Sequence, residues 1–222
     1  MNLLFFLSCT IVPEVSEEEK LAQASTQVIF ESVEKLGAHK YEAKIRRTEQ
    51  YNQAETSSHD EEVHIEWKDW DNFRYVRIVD NKEVSSTVVV DHIPYKKIGA
   101  STWKKYEDAE SDRTQLRSSW NTWEQYLKTY EPLLKWTPLG EEKQEGRKVH
   151  RFALSLDPKK SLPPKTLQLK SIEGSVSIDQ ETAVRIYSEV QLVLVREGYQ
   201  KNIRFALKRF DIQEEFSISP PE

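Results

Sequence analysis

The only cysteine of the chain, Cys9, has the most specific chemistry in this sequence. A single thiol cannot form an internal disulfide or a multi-thiolate metal site. Cys9 follows the apolar run of residues 3–7 and the small residue Ser8, and a polar segment comes after it. The run is too short to span a bilayer, which requires about 20 apolar residues, and no later segment approaches that length. An ordinary transmembrane protein is therefore excluded.

The histidines and carboxylates form no recognisable catalytic pattern. His59 and His64 flank an acidic run, but a spacing of five on a strand places them on opposite faces. His92 and His150 lie on predicted strands without an identifiable partner, so we interpret them as packed or half-exposed residues. No phosphate loop, dinucleotide fingerprint or nucleophile elbow is present in the sequence. The sequence therefore predicts a protein that is not an enzyme, with no metal and no cofactor.

Charged residues of both signs are interleaved along the chain, and the formal net charge is -5. The basic residues occur as scattered pairs, such as Arg46-Arg47 and Lys96-Lys97, without the continuous basic surface that follows a phosphate backbone. Nucleic acid is therefore not expected as a partner. A chain of 222 residues suits one domain and can bury most of the surface that its unfolded form exposes.

Two segments have the apolar spacing of helices. The first begins near Ser16, where Ser16 and Glu19 fit a capping box, and ends at Gly37. Its apolar residues include Ala22, Ile29, Val33 and Leu36. The second runs from about residue 112 to residue 130, and Pro132 closes it. Its apolar stripe consists of Leu116, Trp120, Trp123, Leu127 and Tyr130.

Most other segments alternate between apolar and polar residues, which predicts antiparallel strands. Asp80-Asn81 predicts a tight hairpin turn, and the β-branched run of residues 87–93 predicts a strand that ends at Pro94. Near the carboxyl end, Leu207 and Phe210 are three positions apart and would face opposite sides of a regular strand. Burial of both predicts a bulge close to Lys208. A last strand is predicted to end with Phe216 and Ile218.

The order of helix, strands, helix and strands predicts an α+β fold. Half-polar strands need one covered face, and two apolar helices are available to cover it. We therefore predict a strongly curved antiparallel sheet, a half-barrel, with both helices packed on its concave side or in its mouth. Such a fold encloses an apolar volume that is either filled by side chains or open to a ligand. The candidate cavity residues are Leu116, Trp120, Trp123, Leu127, Tyr130, Ile29 and Val33.

The segment Leu7-Ser8-Cys9-Thr10 resembles the lipobox of bacterial lipoproteins. The resemblance implies that residues 1–8 are a signal peptide, that Cys9 becomes the lipidated amino terminus, and that residues 9–15 form a tether to a single domain of residues 16–222. Acylation of Cys9, including a palmitate-type chain, would attach the protein to a membrane. Thr10 after the cysteine favours the outer membrane, facing the periplasm.

The mature region resembles the LolA, LolB, LppX and LprG superfamily of bacterial envelope proteins. The resemblance rests on the order of elements and on two local segments, residues 145–152 and the strand–hairpin–strand pattern that starts at Gly174 and ends at Pro220. It implies a half-barrel that shields acyl chains, with a lipid or a lipoprotein as ligand and a role in their transport. We expect a monomer.

A second hypothesis has the same fold with a filled core. In that case the protein is a non-enzymatic scaffold of the envelope, which binds a protein partner through an exposed edge or face. Bound lipid in the first case, and a stoichiometric protein partner without lipid in the second, would distinguish them.

Overall fold

The computed structural model describes residues 16–26, 30–119, 127–160 and 167–222. The helices are α1 (Glu17–Thr26), α2 (Phe30–Leu36) and α3 (Glu110–Ser119), followed by a 3-10 helix (Glu131–Leu133). The strands are β1 (His39–Tyr51), β2 (Ala54–Asp69), β3 (Asn72–Val79), β4 (Lys82–Val90), β5 (Ile93–Ile98), β6 (Lys104–Lys105), β7 (Leu134–Gln144), β8 (Arg147–Leu156), β9 (Gln168–Asp179), β10 (Arg185–Arg196) and β11 (Tyr199–Phe210).

The strands form one antiparallel sheet with the order β6-β5-β4-β3-β2-β1-β11-β10-β9-β8-β7. It consists of two meanders, β1 to β6 and β7 to β11, which are joined where β1 pairs with β11. The end strands β6 and β7 are not neighbours, so the sheet is open. The predicted open antiparallel sheet is thus confirmed, whereas the placement of the helices on a concave side stays a prediction.

The helix boundaries agree with the sequence at three of their four ends. The first helical segment starts after Ser16 and stops at Gly37, whose φ of 85° is accessible to glycine without strain. The second segment starts at Glu110, close to the predicted position. Its predicted end at Tyr130 is wrong, because residues 127–130 form a turn that leads into the 3-10 helix.

Several hairpin turns use residues with positive φ, and two of them compare directly with the sequence predictions. Asp80 and Asn81 have φ values of 49° and 61° and form the predicted turn between β3 and β4. Asp91 and His92, with φ values of 49° and 68°, form a second turn inside the predicted strand of residues 87–93. That strand is therefore divided between β4 and β5. Aspartate and histidine tolerate the left-handed region, but an adjacent β-branched run conceals this tendency.

The last strand does not contain the predicted bulge. β11 pairs with β1 in unbroken register, and this register places Arg209 opposite Tyr41. As a result Arg209 is buried and Phe210 is half-buried on the other face of the sheet. The guanidinium of Arg209 lies 4.9 Å from the centre of the Tyr41 ring. This cation–π contact stabilises the charge at a buried position that would otherwise suit an aromatic residue. The strand predicted at residues 216–218 is not formed.

The buried apolar residues form two clusters on the sheet. The first cluster joins α1 and residues 127–134 to β8, β9, β10 and β11, and it includes Ala22, Leu127, Tyr130, Phe152, Ile172, Leu192 and Phe205. The second joins α2 and α3 mainly to β1, β2 and β3, and it includes Val33, Leu36, Tyr41, Ala43, Ile65, Phe73 and Leu116. The helices therefore pack against the sheet at two separate places.

Gly174 in β9 allows a close approach of its neighbour β10. A Cβ atom at this position would lie 2.3 Å from the carbonyl oxygen of Glu189 and 2.8 Å from the Cα of Val190. We expect Gly174→Ala to lower the free energy of unfolding by about 2 kcal/mol, because backbone atoms of β10 must move. Urea denaturation measures this loss, and Ser175→Ala on the same strand should change stability by less than about 0.5 kcal/mol. Equal stability of both variants would contradict the close approach.

Candidate ligand-binding face

The candidate site is the apolar face that the helices cover. On β1 and β11 the buried residues alternate with exposed or half-buried ones, so each strand presents one apolar face. Ala43 lies at the middle of this face, between Leu207 of β11 and Val63 of β2. Residues of all three described α-helices pack among these strand residues. Two separate groups of helix residues thus cover one continuous apolar face of the sheet.

Four of the seven predicted cavity residues lie among the described residues, and all four are buried. Leu127 and Tyr130 belong to the first cluster, whereas Leu116 and Val33 belong to the second. Burial also raises the pKa of the Tyr130 phenol. The single apolar stripe of the sequence is therefore divided between two clusters. Ile29, Trp120 and Trp123, like the predicted lipidation site Cys9, lie outside the described residues.

Helix α3 is attached to the sheet mainly by polar contacts near its amino end. The ammonium of Lys96 in β5 lies 2.9 Å from a carboxylate oxygen of Asp112. The guanidinium of Arg113 donates to a carboxylate oxygen of Asp71 at 2.9 Å and to the carbonyl oxygen of Trp70 at 3.0 Å. Leu116 adds an apolar contact one turn further along the helix. The amino end of α3 is therefore fixed to the turn between β2 and β3.

Trp70 connects both helices of the second cluster. Its indole N–H donates to the carboxylate of Glu34 in α2, and the guanidinium of Arg117 in α3 lies 4.6 Å from its ring centre. The ring also meets Trp67 edge-on, with 5.9 Å between the ring centres. The spacing of these residues in the sequence does not reveal this arrangement.

His59, His64 and His92 each lie beside a carboxylate, and these three histidines are not gathered into a site. His59 and His64 lie near different acidic residues, Asp80 and Glu62, at 3.6 Å and 3.2 Å. His92 lies on a turn and not on a strand, 2.7 Å from Asp71. In the described parts of the chain, no three potential ligands among histidines, cysteines and carboxylates could hold a metal ion.

A buried basic cluster, formed by His39, Arg185 and Arg209, lies where β1, β10 and β11 meet. Arg209 donates to the carbonyl oxygen of Arg185, and Arg185 donates to the carbonyl oxygen of Ser25 in α1. Burial lowers the pKa of Arg209 to about 10, against the opposing effect of Tyr41, so the guanidinium stays charged at neutral pH. Burial and the charge of Arg209 lower the pKa of His39 to about 3.

This cluster was not predicted from the sequence, because Phe210 was expected on the buried face of the strand in place of Arg209. The available signal was the regular alternation of Ile203, Phe205 and Leu207, which continues to Arg209 without a bulge. An arginine at a buried strand position contradicts the usual pattern of polar residues outside. Such a contradiction marks a position where function or a special contact outweighs simple burial.

The chain forms an open antiparallel sheet with one helix-covered apolar face, and several solved structures are similar to it. The lipoprotein LppX of Mycobacterium tuberculosis is 13% identical with a TM-score of 0.37, and the match covers 92% of this chain and 100% of that chain. A LolA superfamily protein from Nitrosomonas europaea is 7% identical with a TM-score of 0.26, and the match covers 88% and 94%. The group that the sequence resembles is thus represented among the matching structures.

No family model matches the sequence, and no curated protein matches it significantly. No helix within the described residues is long and apolar enough to cross a membrane.

Proposed function

We propose that this protein is a lipid-anchored protein of the bacterial envelope that holds an acyl chain against the apolar face of its sheet. One observation carries the proposal: the apolar face belongs to one open sheet, and residues of the described helices cover it in two separate clusters. A hydrocarbon chain could extend along such a face between the two clusters.

The contacts of α3 with the sheet are weak compared with the burial of an acyl chain, which favours a helical cover that can move. The ion pair of Arg113 in α3 with Asp71 is partly exposed, and such a pair contributes about 1 kcal/mol or less. Burial of hydrocarbon contributes about 25 cal/mol per Å² of apolar surface, so a single acyl chain can offset the loss of several such contacts. Binding of this kind requires no covalent step and no catalytic residue.

The anchor is the second part of the proposal. Acylation of Cys9 would attach the domain through the segment of residues 10–15 to the outer membrane, on its periplasmic side. An anchored half-barrel with an apolar face could receive a lipid or the acyl group of a lipoprotein and release it at the membrane. This arrangement supports a role in lipid or lipoprotein transport.

Mass spectrometry of the protein extracted from its native membrane tests both parts. Intact-mass analysis should show acyl groups on Cys9 that are absent from Cys9→Ser. Native spectra of the wild-type domain should show a non-covalently bound lipid. Absence of bound lipid, with one protein partner recovered in stoichiometric amount, would instead support the scaffold hypothesis.

Filling the middle of the face should displace the lipid. Ala43→Phe adds a large side chain on the apolar face, whereas Ala206→Phe adds the same group on the opposite face of the neighbouring strand. We expect the Ala43→Phe protein to lose its bound lipid and to keep its stability within about 1 kcal/mol, because the ring takes the place of the ligand. Ala206→Phe should retain the lipid.

A completely filled core predicts a different result for the same pair of variants. Overpacking then makes Ala43→Phe about 1 to 3 kcal/mol less stable in urea denaturation, and neither variant carries lipid. Retention of lipid by Ala43→Phe would show that the ligand lies elsewhere.

A further inference from the structure

Arg209 is a cation in the interior whose counter-charge the described residues do not supply. Its side chain is only 3% exposed, on the same face as Leu207 and Tyr41. Its side chain contacts the carbonyl oxygen of Arg185 and the ring of Tyr41. Among the described residues, no carboxylate forms an ion pair with this guanidinium, and its Nε–H has no hydrogen-bond partner.

A buried charge without a counter-charge is costly. Moving a charged group out of water requires several kcal/mol unless an opposite charge and hydrogen bonds replace the solvent. A carbonyl oxygen and an aromatic ring compensate for only part of this cost. An apolar residue at the same strand position would be buried without this desolvation cost. Phe205 and Leu207 are apolar residues buried on the same face of the strand. The position therefore favours a cation for a reason other than stability.

A small cavity adjoins this residue. Its volume is about 200 Å³, and it is lined by Gln144, Glu145, Ile186, Tyr187, Lys208 and Arg209. The only described carboxylate in this lining, that of Glu145, lies 3.7 Å from the ammonium of Lys208 and so has its own cation. This volume is below the range of pockets that enclose whole drug-sized ligands, but it can contain a small polar head group.

We propose that Arg209 binds the anionic head group, a carboxylate or a phosphate, of the lipid whose acyl chain lies on the apolar face. This inference rests on the proposed function and specifies the class of its ligand. The planar guanidinium fork suits carboxylate and phosphate oxygens, and hydrogen bonds between charged partners are strongest where water is excluded. The acyl chain would then extend from the buried basic cluster along the face.

The test compares two lipids of the same chain length, one with an anionic carboxylate head group and one with a neutral hydroxyl head group. Binding of palmitate and of hexadecanol to the delipidated wild-type domain is measured by intrinsic tryptophan fluorescence and confirmed by native mass spectrometry. We expect palmitate to bind at least about tenfold more tightly, since a hydrogen bond between charged groups contributes about 1.5 to 3 kcal/mol. Equal affinities would overturn the role of Arg209 but leave the proposed function intact, whereas absence of binding by both lipids would contradict the proposed function itself.

Matched variants assign the preference to a residue. Arg209→Met removes the buried charge, and Arg204→Met removes a guanidinium from the exposed face of the same strand, away from the cavity. Arg209→Met should bind both lipids equally, and Arg204→Met should keep the preference for palmitate. Unchanged preference in Arg209→Met would overturn the inference. If Arg209→Met does not fold, Arg209→Lys replaces it, and a reduced preference is expected because the fork is lost.

A competition experiment separates a lipid head group from a free anion. Inorganic phosphate at millimolar concentration should not displace palmitate from the wild-type domain, because it lacks the acyl chain. Displacement at that concentration would show that the site binds free phosphate, which would overturn the assignment to a lipid.

Discussion

Asp179→Asn should lower the free energy of unfolding by about 3 kcal/mol, because it removes the negative charge at the centre of a buried hydrogen-bond network. The carboxylate of Asp179 accepts hydrogen bonds from Arg147 Nε at 2.9 Å and Nη2 at 3.0 Å, and from the hydroxyl and amide of Thr182 at 2.7 Å and 2.9 Å. These contacts join the β7–β8 hairpin to the turn between β9 and β10. Thermal or urea unfolding measures the loss.

Glu181→Gln is the matched control for this prediction. The carboxylate of Glu181 also accepts a hydrogen bond from Arg147, at 2.8 Å, but its side chain is 77% exposed. Exposed pairs of this kind contribute less than about 1 kcal/mol, so Glu181→Gln should change stability very little. A similar loss in both variants would mean that the charge of Arg147, and not the buried position of Asp179, determines the contribution.

The Asp179 network also has a predicted dependence on pH. Burial alone would raise the pKa of Asp179, but the hydrogen bonds from Arg147 and Thr182 outweigh burial and leave this pKa below its ordinary value. A carboxylate with a lowered pKa contributes stability at neutral pH, and this contribution disappears as the pH falls through the pKa of the folded state. Acid should therefore weaken the junction of the two hairpins.

Mild acid should destabilise the protein through His39 at a higher pH than through Asp179. Burial and the charge of Arg209 lower the pKa of His39 from 6.5 to about 3. The unfolded chain therefore takes up a proton below pH 6.5, whereas the folded chain does so only near pH 3. Stability is complete above pH 6.5 and falls as the pH decreases towards 3, by about 3 kcal/mol at pH 4. Urea denaturation at a series of pH values measures this slope.

His39→Phe should remove most of this slope. The ring of His39 donates from Nδ1 to the carbonyl oxygen of Gly37 at 2.7 Å, so the variant should lose about 1 kcal/mol at neutral pH. Between pH 6.5 and pH 4, however, its stability should fall less steeply than that of the wild type. His59→Phe, at an exposed position, should leave the slope unchanged. A persistent slope in His39→Phe would assign the effect to other groups.

The sequence predicted the fold where local patterns and tertiary packing agree. The alternation of Tyr41, Ala43 and Ile45 predicted β1 because the same residues face the apolar clusters. The prediction was wrong at Asp91 and His92, where the turn lies inside an apolar, β-branched run and lacks glycine. The pairing of β1 with β11 could not be predicted, because it depends on contacts between residues that are distant in sequence and leaves no local signal.

The candidate site could be predicted only in part. The apolar stripe of the second helical segment correctly indicated burial of Leu116 and Leu127, yet it did not indicate that they enter different clusters. The division arises because Leu127 lies on a turn and not on the helix of Leu116. Arg209 was missed because parity was assigned from hydrophobicity, and Phe210 is the more hydrophobic neighbour.

The pairing of β1 with β11 determines when the sheet can be completed during folding. Lys40 pairs with Phe210, so one edge of β1 has no partner until almost the whole chain has been synthesised, whereas its other edge pairs with β2. Pairings between such distant residues form slowly. The amino-terminal meander can pair within itself during synthesis, and closure of the β1–β11 pairing, which makes one sheet of two, comes last.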